Sequence, residues 1–281
     1  MPYREEDPPF EDNGLNNWCE ELWKNDKNRL TPDQDYELDL QGRTRFSYDG
    51  PDMAADPLFA SVSREALARP TYKAFVALLD NYETATGVAE EVTPKELREN
   101  WEFINACYKT DCMRLCYQYL KFKKIINKSP EEFKQELYDM WFKMYRRSRE
   151  TRKFDSSGFE HVFVGETRGD KEVIGFHNWI QFYLQEKAKN VDYKGFMASD
   201  RNPHLLTVQF SWKGEVKPKG GIFIGVSPEF ELALYTVCYM LGEHSYKITL
   251  GGEEVIIKCH QTAGKIGTCY PQLPRWQGRR K

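Results

Sequence analysis

The sequence predicts an α+β fold, with a helical N-terminal half and a C-terminal half built on antiparallel sheet. Helix-start signals recur through the first half, and apolar residues alternate with polar ones after about residue 153. A Gly251-Gly252 pair between two strand-like segments adds a hairpin signal. Helices followed by strands are typical of the α+β class. We expect one domain over residues 1–281, with a mainly helical lobe (1–153) and a mixed lobe (154–281).

Helices of the first half are predicted from apolar spacing and from their N-terminal caps. Two segments carry apolar residues at helical spacing: Leu15, Trp18, Leu22 and Trp23, then Phe75, Leu78, Leu79 and Tyr82. Two further helices start at capping boxes with proline in the first turn: Thr93-Pro94-Lys95-Glu96 and Ser129-Pro130-Glu131-Glu132. Residues 31–57 are rich in Pro, Asp and Gly, which favours a loop or extended chain.

Strands dominate the prediction for the second half. Apolar runs and alternation mark five of them: Gly158–Gly165, Leu205–Trp212, Ile222–Val226 and the hairpin pair Tyr246–Leu250 with Glu253–His260. A short apolar run at Val173–Phe176 precedes a helix that extends through Leu184. Another helix starts at Ser227-Pro228-Glu229.

The composition limits the class of protein. The 281 residues include 43 acidic and 40 basic side chains, a formal charge of -3, which argues against a general polyanion-coating protein. Seven cysteines without disulfide spacing favour reduced, mostly buried thiols and a cytoplasmic or nuclear setting. The segment Met1–Phe10 lacks an apolar core, so we expect no secretory signal, and no window reaches transmembrane length.

Two of the five histidines are candidates for chemistry. His161 and His177 lie 16 residues apart, at the ends of a predicted strand-turn-strand unit that would bring them together. Two imidazoles in one pocket can serve as general base and general acid. From spacing alone, packed or surface histidines, half of a metal site, or a Cys-His nucleophile remain open. No HxxxH or CxxC supports zinc, and no Walker A loop or GxGxxG supports a nucleotide cofactor.

Longer motifs resemble the EndoU family of poly(U)-specific endoribonucleases. The similar blocks keep the family's order over residues 158–270: Gly158-Phe-Glu-His-Val-Phe-Val-Gly-Glu166, Gly175-Phe-His-Asn-Trp-Ile-Gln-Phe-Tyr-Leu184, Phe210-Ser-Trp-Lys-Gly-Glu-Val-Lys-Pro218, Phe223-Ile-Gly-Val-Ser-Pro-Glu-Phe-Glu-Leu-Ala-Leu-Tyr-Thr236 and Gly267-Thr-Cys-Tyr270. The resemblance implies an EndoU-like fold whose sheet-based half is catalytic. It also implies cleavage of single-stranded RNA at uridylates by 2′-OH transesterification.

The resemblance assigns roles to individual residues. His161 and His177 match the catalytic histidines, and Lys217 is a better match to the catalytic lysine than Lys213 or Lys219. By analogy with the coronavirus uridylate-specific endoribonucleases, His177 is the base and His161 the acid. Substrate-binding and supporting positions follow from the same match: Thr268, Tyr270 and Gly221 beside the uracil and ribose, and Glu160 and Glu166 beside His161. The two glutamates either tune His161 or are solvated or strand-supporting carboxylates.

Some features remain open beside the resemblance. The family often has Gly-Ser after the lysine, where this chain has Gly220-Gly221, so uridine preference is less firmly implied than cleavage. Mn²⁺ or Ca²⁺ dependence is implied without a recognisable ligand cluster, and we expect the ion to assist RNA binding or the active conformation. A monomer without membrane contact is expected. An RNA-binding module with weak catalysis and a two-metal nuclease are the alternatives.

Two basic runs could contact phosphates flanking the cut, or could be a solvated helix face and a frayed tail. Their members are Lys143, Arg146, Arg147, Arg149, Arg152 and Lys153, and then Arg275, Arg279, Arg280 and Lys281.

Overall fold

The computed structural model describes residues 14–148, 152–168, 172–200 and 204–274, and within them the predicted α+β class is confirmed. The first half is mainly helical: α1 (Gly14–Lys24), β1 (Tyr36–Leu38), β2 (Phe59–Val62), α2 (Arg64–Leu67), α3 (Pro70–Val76), α4 (Pro94–Tyr108), α5 (Asp111–Phe122) and α6 (Pro130–Trp141). The segment Met1–Phe10, Arg149 and the basic tail at 275–281 lie outside the described residues.

Both predicted capping boxes are confirmed. The Thr93 side chain accepts a hydrogen bond from the Glu96 backbone N–H, and the Glu96 carboxylate accepts one from the Thr93 N–H. Ser129 and Glu132 form the same reciprocal pair at the start of α6. The helix predicted from Phe75 is shorter than expected, because α3 ends at Val76 and the following apolar residues pack from a turn.

Four antiparallel sheets are found in the described residues. The elements of the second half are β3 (Glu166–Arg168), β4 (Glu172–Ile174), α7 (Trp179–Lys187), β5 (Val191–Ser199), β6 (Leu205–Trp212), β7 (Glu215–Phe223), α8 (Pro228–Leu241), β8 (Ser245–Leu250), β9 (Glu253–Thr262) and β10 (Lys265–Gln272). The sheets pair as β1-β2, β3-β4, β5-β6-β7 and β10-β9-β8. The hairpin at Gly251-Gly252 and strand Leu205–Trp212 are confirmed, whereas β7 starts seven residues before the predicted Ile222.

One predicted strand is wrong, because Gly158–Gly165 contains a π-helix at Glu160–Val164. Its closing hydrogen bond runs from the Gly165 N–H to the Glu160 carbonyl over 2.8 Å. All five residues of the π-helix are buried, so the alternation of side-chain types along them does not report an exposed and a buried face.

A continuous cluster of buried apolar side chains joins the two predicted lobes. The Trp18 indole donates to the Leu115 carbonyl at 3.1 Å, and the Trp141 indole donates to the Thr236 hydroxyl at 3.0 Å. The second bond links α6 to α8, so helices of both halves share one core. The seven cysteines are buried free thiols, which confirms that part of the prediction. The described part of the chain has no helix both long and apolar enough to cross a bilayer.

Candidate active site

Backbone pairing brings His161 and His177 together. The Phe176 N–H donates to the His161 carbonyl at 2.9 Å, and the His177 N–H donates to the Val162 carbonyl at 2.8 Å. Gly175 precedes this pair with φ +63°, and a Cβ there would approach the His161 carbonyl oxygen more closely than real Cβ atoms do. The two histidines therefore meet as predicted, but between a π-helix and the segment after β4 rather than in a strand-turn-strand unit.

The His161 ring is held by Glu166. The His161 Nδ1 is in contact with the Glu166 Oε2, and the Arg147 Nε lies 3.1 Å from the same oxygen. Glu166 is fully buried, and Arg147 also donates to the Ser156 hydroxyl at 2.8 Å and to the Gly267 carbonyl at 2.6 Å. This chain of contacts fixes the orientation of the imidazole through its Nδ1.

Arg147 and Glu160 have positions that sequence patterns did not indicate. Arg147 was grouped with a basic run that could contact RNA phosphates, but its side chain is 13% exposed and is bonded inward. Glu160 is also fully buried, and its carboxylate accepts from the Ser157 backbone N–H at 3.2 Å rather than contacting His161. Its role is therefore to brace the start of the π-helix, whereas Glu166 alone contacts the histidine.

His177 is fixed from two sides. Its Nδ1 lies 3.0 Å from the Gly221 carbonyl oxygen, and its ring stacks on Tyr270 with centroids 4.6 Å apart and planes 14° from parallel. A carbonyl only accepts hydrogen bonds, so the Nδ1 carries the proton and the neutral ring keeps Nε2 as an acceptor. The following residue, Asn178, caps α7 through hydrogen bonds from Ile180 and Gln181 at 2.9 and 3.0 Å.

Lys217 is the lysine that lies with the histidines. Its side chain is buried and the Nζ donates to the Val173 carbonyl, at 3.4 Å, beside the turn that carries His177. Lys213 instead contacts the Thr84 hydroxyl from the β6-β7 turn, and Lys219 is exposed. Among these three lysines, the structure therefore places Lys217 with the two imidazoles.

Burial controls the charges in this pocket. Loss of water lowers the pKa of both histidines well below the ordinary value, and the positive Lys217 lowers it further in each case. Burial also lowers the pKa of Lys217 to about 8 and raises the pKa of Glu166 to about 7. Near neutral pH the pocket thus holds a charged lysine and an imidazole able to accept a proton at His177.

The predicted substrate residues line the neighbouring strands. Tyr270 on β10 stacks against His177, and the backbone of Gly221 on β7 lies under the Pro271 carbonyl and the Tyr270 ring. The Thr268 hydroxyl is buried and has no hydrogen-bond partner in the described protein. Buried hydroxyl groups normally have hydrogen-bond partners, so the unpaired Thr268 oxygen, two residues before Tyr270, is a departure from that rule.

Over the described ranges, no three or more His, Cys, Asp or Glu side chains are grouped so as to hold a metal ion. Glu166 contacts His161 and Arg147, and Asp155 accepts from the backbone N–H groups of Arg147 and Gly87, while one oxygen of Glu160 and one of Glu166 have no partner. The described residues therefore do not group the donors that the Mn²⁺ or Ca²⁺ dependence implied by the resemblance would need.

Known proteins resemble this chain over most of its length. The family model "Endoribonuclease XendoU" matches residues 14–271. The chain is 48% identical to uridylate-specific endoribonuclease B of Danio rerio over 92% of this chain and 96% of that protein. It is 45% identical to poly(U)-specific endoribonuclease-B of Xenopus laevis over 90% and 91%. The solved structure of XendoU, a splicing independent snoRNA processing endoribonuclease, is 43% identical, with a TM-score of 0.81 over 92% of this chain and 96% of that chain.

Proposed function

Because this chain belongs to the endoribonuclease XendoU family, we propose that it is an endoribonuclease that cuts single-stranded RNA at uridylates. The observation that carries the proposal is the convergence of His161, His177 and Lys217 in one buried pocket. The names of the relatives supply the substrate class, since both proteins described above are named for uridylate or poly(U).

The reaction is an in-line transesterification in which the RNA supplies its own nucleophile. The 2′-oxygen forms a bond to the 3′-phosphorus while the bond from phosphorus to the 5′-oxygen breaks. The products are a 2′,3′-cyclic phosphate and a 5′-hydroxyl. His177 accepts the 2′-OH proton at Nε2, because its Nδ1 proton is directed to the Gly221 carbonyl.

His161 donates the proton that the 5′-oxygen leaving group requires. Its Nδ1 faces the Glu166 carboxylate, and the bound phosphate adds a negative charge on the other side of the ring. Both negative groups favour the imidazolium form, which opposes the effect of burial once RNA is bound. Lys217 offsets the charge that grows on the non-bridging phosphoryl oxygens. The protein groups therefore complete the proton balance of the bond-breaking step.

Uridine selection is assigned to Tyr270 and Thr268. A phenol ring provides a stacking face for a base, but stacking is tolerant of base identity. Selection needs hydrogen bonds to the uracil edge, and the unpartnered Thr268 hydroxyl can supply one as donor or acceptor. The backbone of Gly221 limits the other side of the same space.

The divalent ion, the oligomeric state and the cellular location are separate from the chemical step. We propose that Mn²⁺ or Ca²⁺, where it raises the rate, acts on RNA binding or on the active conformation. We also propose a monomer in the cytoplasm or nucleus, a setting that suits seven free thiols.

Cleavage of an oligonucleotide with a single uridine, followed by end-group analysis, tests the proposal. We expect a cyclic phosphate and a 5′-hydroxyl, and no cleavage when 2′-deoxyuridine occupies the site, because the nucleophile is then missing. His161→Ala, His177→Ala and Lys217→Ala should each reduce cleavage by about 100- to 10,000-fold. His244→Ala is the matched control, since His244 is exposed on the β8 side of the molecule.

A 5′-phosphate product, or cutting at the deoxy site, would exclude this mechanism in favour of a metal-activated water. Tight RNA binding with no cutting at all would support the alternative of a catalytically weak RNA-binding module.

A further inference from the structure

The loop of residues 43–48 holds two aromatic rings in solvent. Phe46 is 61% exposed and Tyr48 is 49% exposed, which is unusual for side chains of this size. The two rings are edge to face, with centroids 5.9 Å apart and planes at 82°. Their outer faces are uncovered, so each ring can accept a planar group.

Buried hydrogen bonds fix this loop on both sides of Phe46. The Thr44 N–H donates to the Phe196 carbonyl at 2.9 Å, and the Thr44 hydroxyl bonds to the Gln209 side chain at 3.0 Å. The Gln209 amide, which is 2% exposed, donates to the Ser47 carbonyl at 2.6 Å. An anchored loop therefore holds the two rings in solvent. This exposure costs free energy that burial of the rings in the core would avoid.

The loop lies on the same sheet face as the uracil-side residues. Thr207 on β6 is directly opposite Gly221 on β7, so their side-chain positions share one face, which Tyr270 and Pro271 cover. Gln209 is two residues further along β6 and points to that face as well. Two residues of strand span about 7 Å. Gln209 is therefore about one nucleotide step from Thr207, and its hydrogen bond to the Ser47 carbonyl holds the loop over this face.

Positive side chains surround the rings. Arg43 and Arg45 flank them in the loop and are exposed, and Arg43 is fixed by a hydrogen bond to the Met197 carbonyl at 3.1 Å. Asp49, the residue after the loop, is exposed, and Asp52 is paired with Lys194 at 2.8 Å, so the loop itself keeps an excess of positive charge.

We propose that Phe46 and Tyr48 form a stacking subsite for unpaired bases next to the uridylate that is cut. This inference rests on the proposed function and deepens it. Aromatic rings between cations suit a single strand, because bases stack on the rings while the cations contact phosphates. Every base has such a face, so the subsite adds affinity without adding sequence preference. An apolar protein partner fits less well, because the rings are surrounded by charge.

The test compares a long and a minimal substrate. In Phe46→Ala/Tyr48→Ala we expect KM for a uridine-containing dodecamer to rise by roughly 10- to 100-fold, because stacking contributes ~1–3 kcal/mol per base. Cleavage of a uridine dinucleotide should be unchanged, since it does not reach the loop. Phe122→Ala, at another exposed ring on α5, is the matched control. Phe46→Tyr/Tyr48→Phe should restore the wild-type KM.

Other results would overturn the subsite. Equal effects on both substrates with a lower Tm would show a structural role. An unchanged KM for the dodecamer would show that the rings do not stack on RNA bases. Concentration-dependent self-association of the wild type that is lost in the variant would identify a protein contact instead. If the wild type cuts neither substrate, the proposed function fails separately. Anisotropy with a labelled 2′-deoxyuridine dodecamer then still measures the subsite, and equal affinity of wild type and variant would refute it.

Discussion

Replacing Lys217 by methionine should stabilise the protein while abolishing cleavage. Among the described residues Lys217 has no carboxylate within ion-pair distance, and burial lowers its pKa from 10.5 to about 8 against the weaker opposing charge of Glu172. The difference between these two pKa values corresponds to about 3 kcal/mol of folding free energy, which the protein loses by keeping the buried ammonium charged. Methionine has a similar length and no charge, but it also loses the hydrogen bond to Val173, worth about 1 kcal/mol.

The net expectation is a gain of about 2 kcal/mol in the free energy of unfolding at pH 6.5. For a domain of this size that corresponds to a Tm increase of roughly 5 °C. Because the folded pKa is below the unfolded value, the unfolded chain binds more protons between pH 8 and 10.5. Wild-type stability therefore rises with pH through this window, and the advantage of the variant should shrink.

Denaturant unfolding of wild type and Lys217→Met at pH 6.5 and 9.5 measures both effects. The difference should be largest at pH 6.5 and small at pH 9.5. Lys219→Met is the matched control, because Lys219 is exposed and should change stability little at either pH. A variant less stable than wild type at pH 6.5, or a difference that does not change with pH, would show that Lys217 is not an uncompensated buried cation.

Further predictions concern the same pocket. Cleavage by the wild type should decline above pH 8, because Lys217 then loses its proton. Lys217→Arg should keep its residual activity to higher pH, because a guanidinium stays charged. Measurement of kcat/KM from pH 6 to 10 tests both expectations. Tyr270→Ala should reduce cutting at every site and Tyr270→Phe should retain much of it, as matched one-uridine and one-cytidine oligonucleotides would show. With the same pair, Thr268→Ala should lower the uridine-to-cytidine ratio, and an unchanged ratio would remove its selective role. Gly221→Ala should lower Tm and activity together, while Gly220→Ala, whose Cβ would lie 3.3 Å from the Phe210 ring, should be milder.

Local chemistry explains which elements the sequence predicted. A capping box is made by residues three positions apart, so Thr93 and Glu96 carry the full signal for the start of α4. The Gly251-Gly252 turn is equally local, and both glycines have positive φ in the structure. Boundaries that depend on partners distant in sequence were missed, such as the early start of β7 and the whole of β5, whose ladder with β6 contains two bulges.

The π-helix shows why the geometry of the site was harder to predict from the sequence than the residues that form it. The carbonyls of His161 and Val162 are bonded to N–H groups fifteen residues later, so this backbone is stabilised by tertiary pairing. Nothing within residues 158–165 reports that pairing, and β-branched and aromatic residues there favour a strand. Arg147 was missed for the same reason, because its partners Glu166 and Gly267 are remote in sequence.

The structure explains why this chain has Gly220-Gly221 where the EndoU family often has Gly-Ser. The absence of serine at 221 suggested that a hydroxyl able to bind the base had been lost. In the structure, however, a Cβ at 221 would collide with the Pro271 carbonyl, so a serine hydroxyl could not enter without moving β10. The glycine allows β7 and β10 to approach until the Gly221 carbonyl meets His177 and Tyr270 stacks on the same ring. Position 221 therefore sets the position of the carbonyl that fixes His177, and the proposed hydrogen bond to the uracil edge is expected from Thr268 on β10 rather than from residue 221.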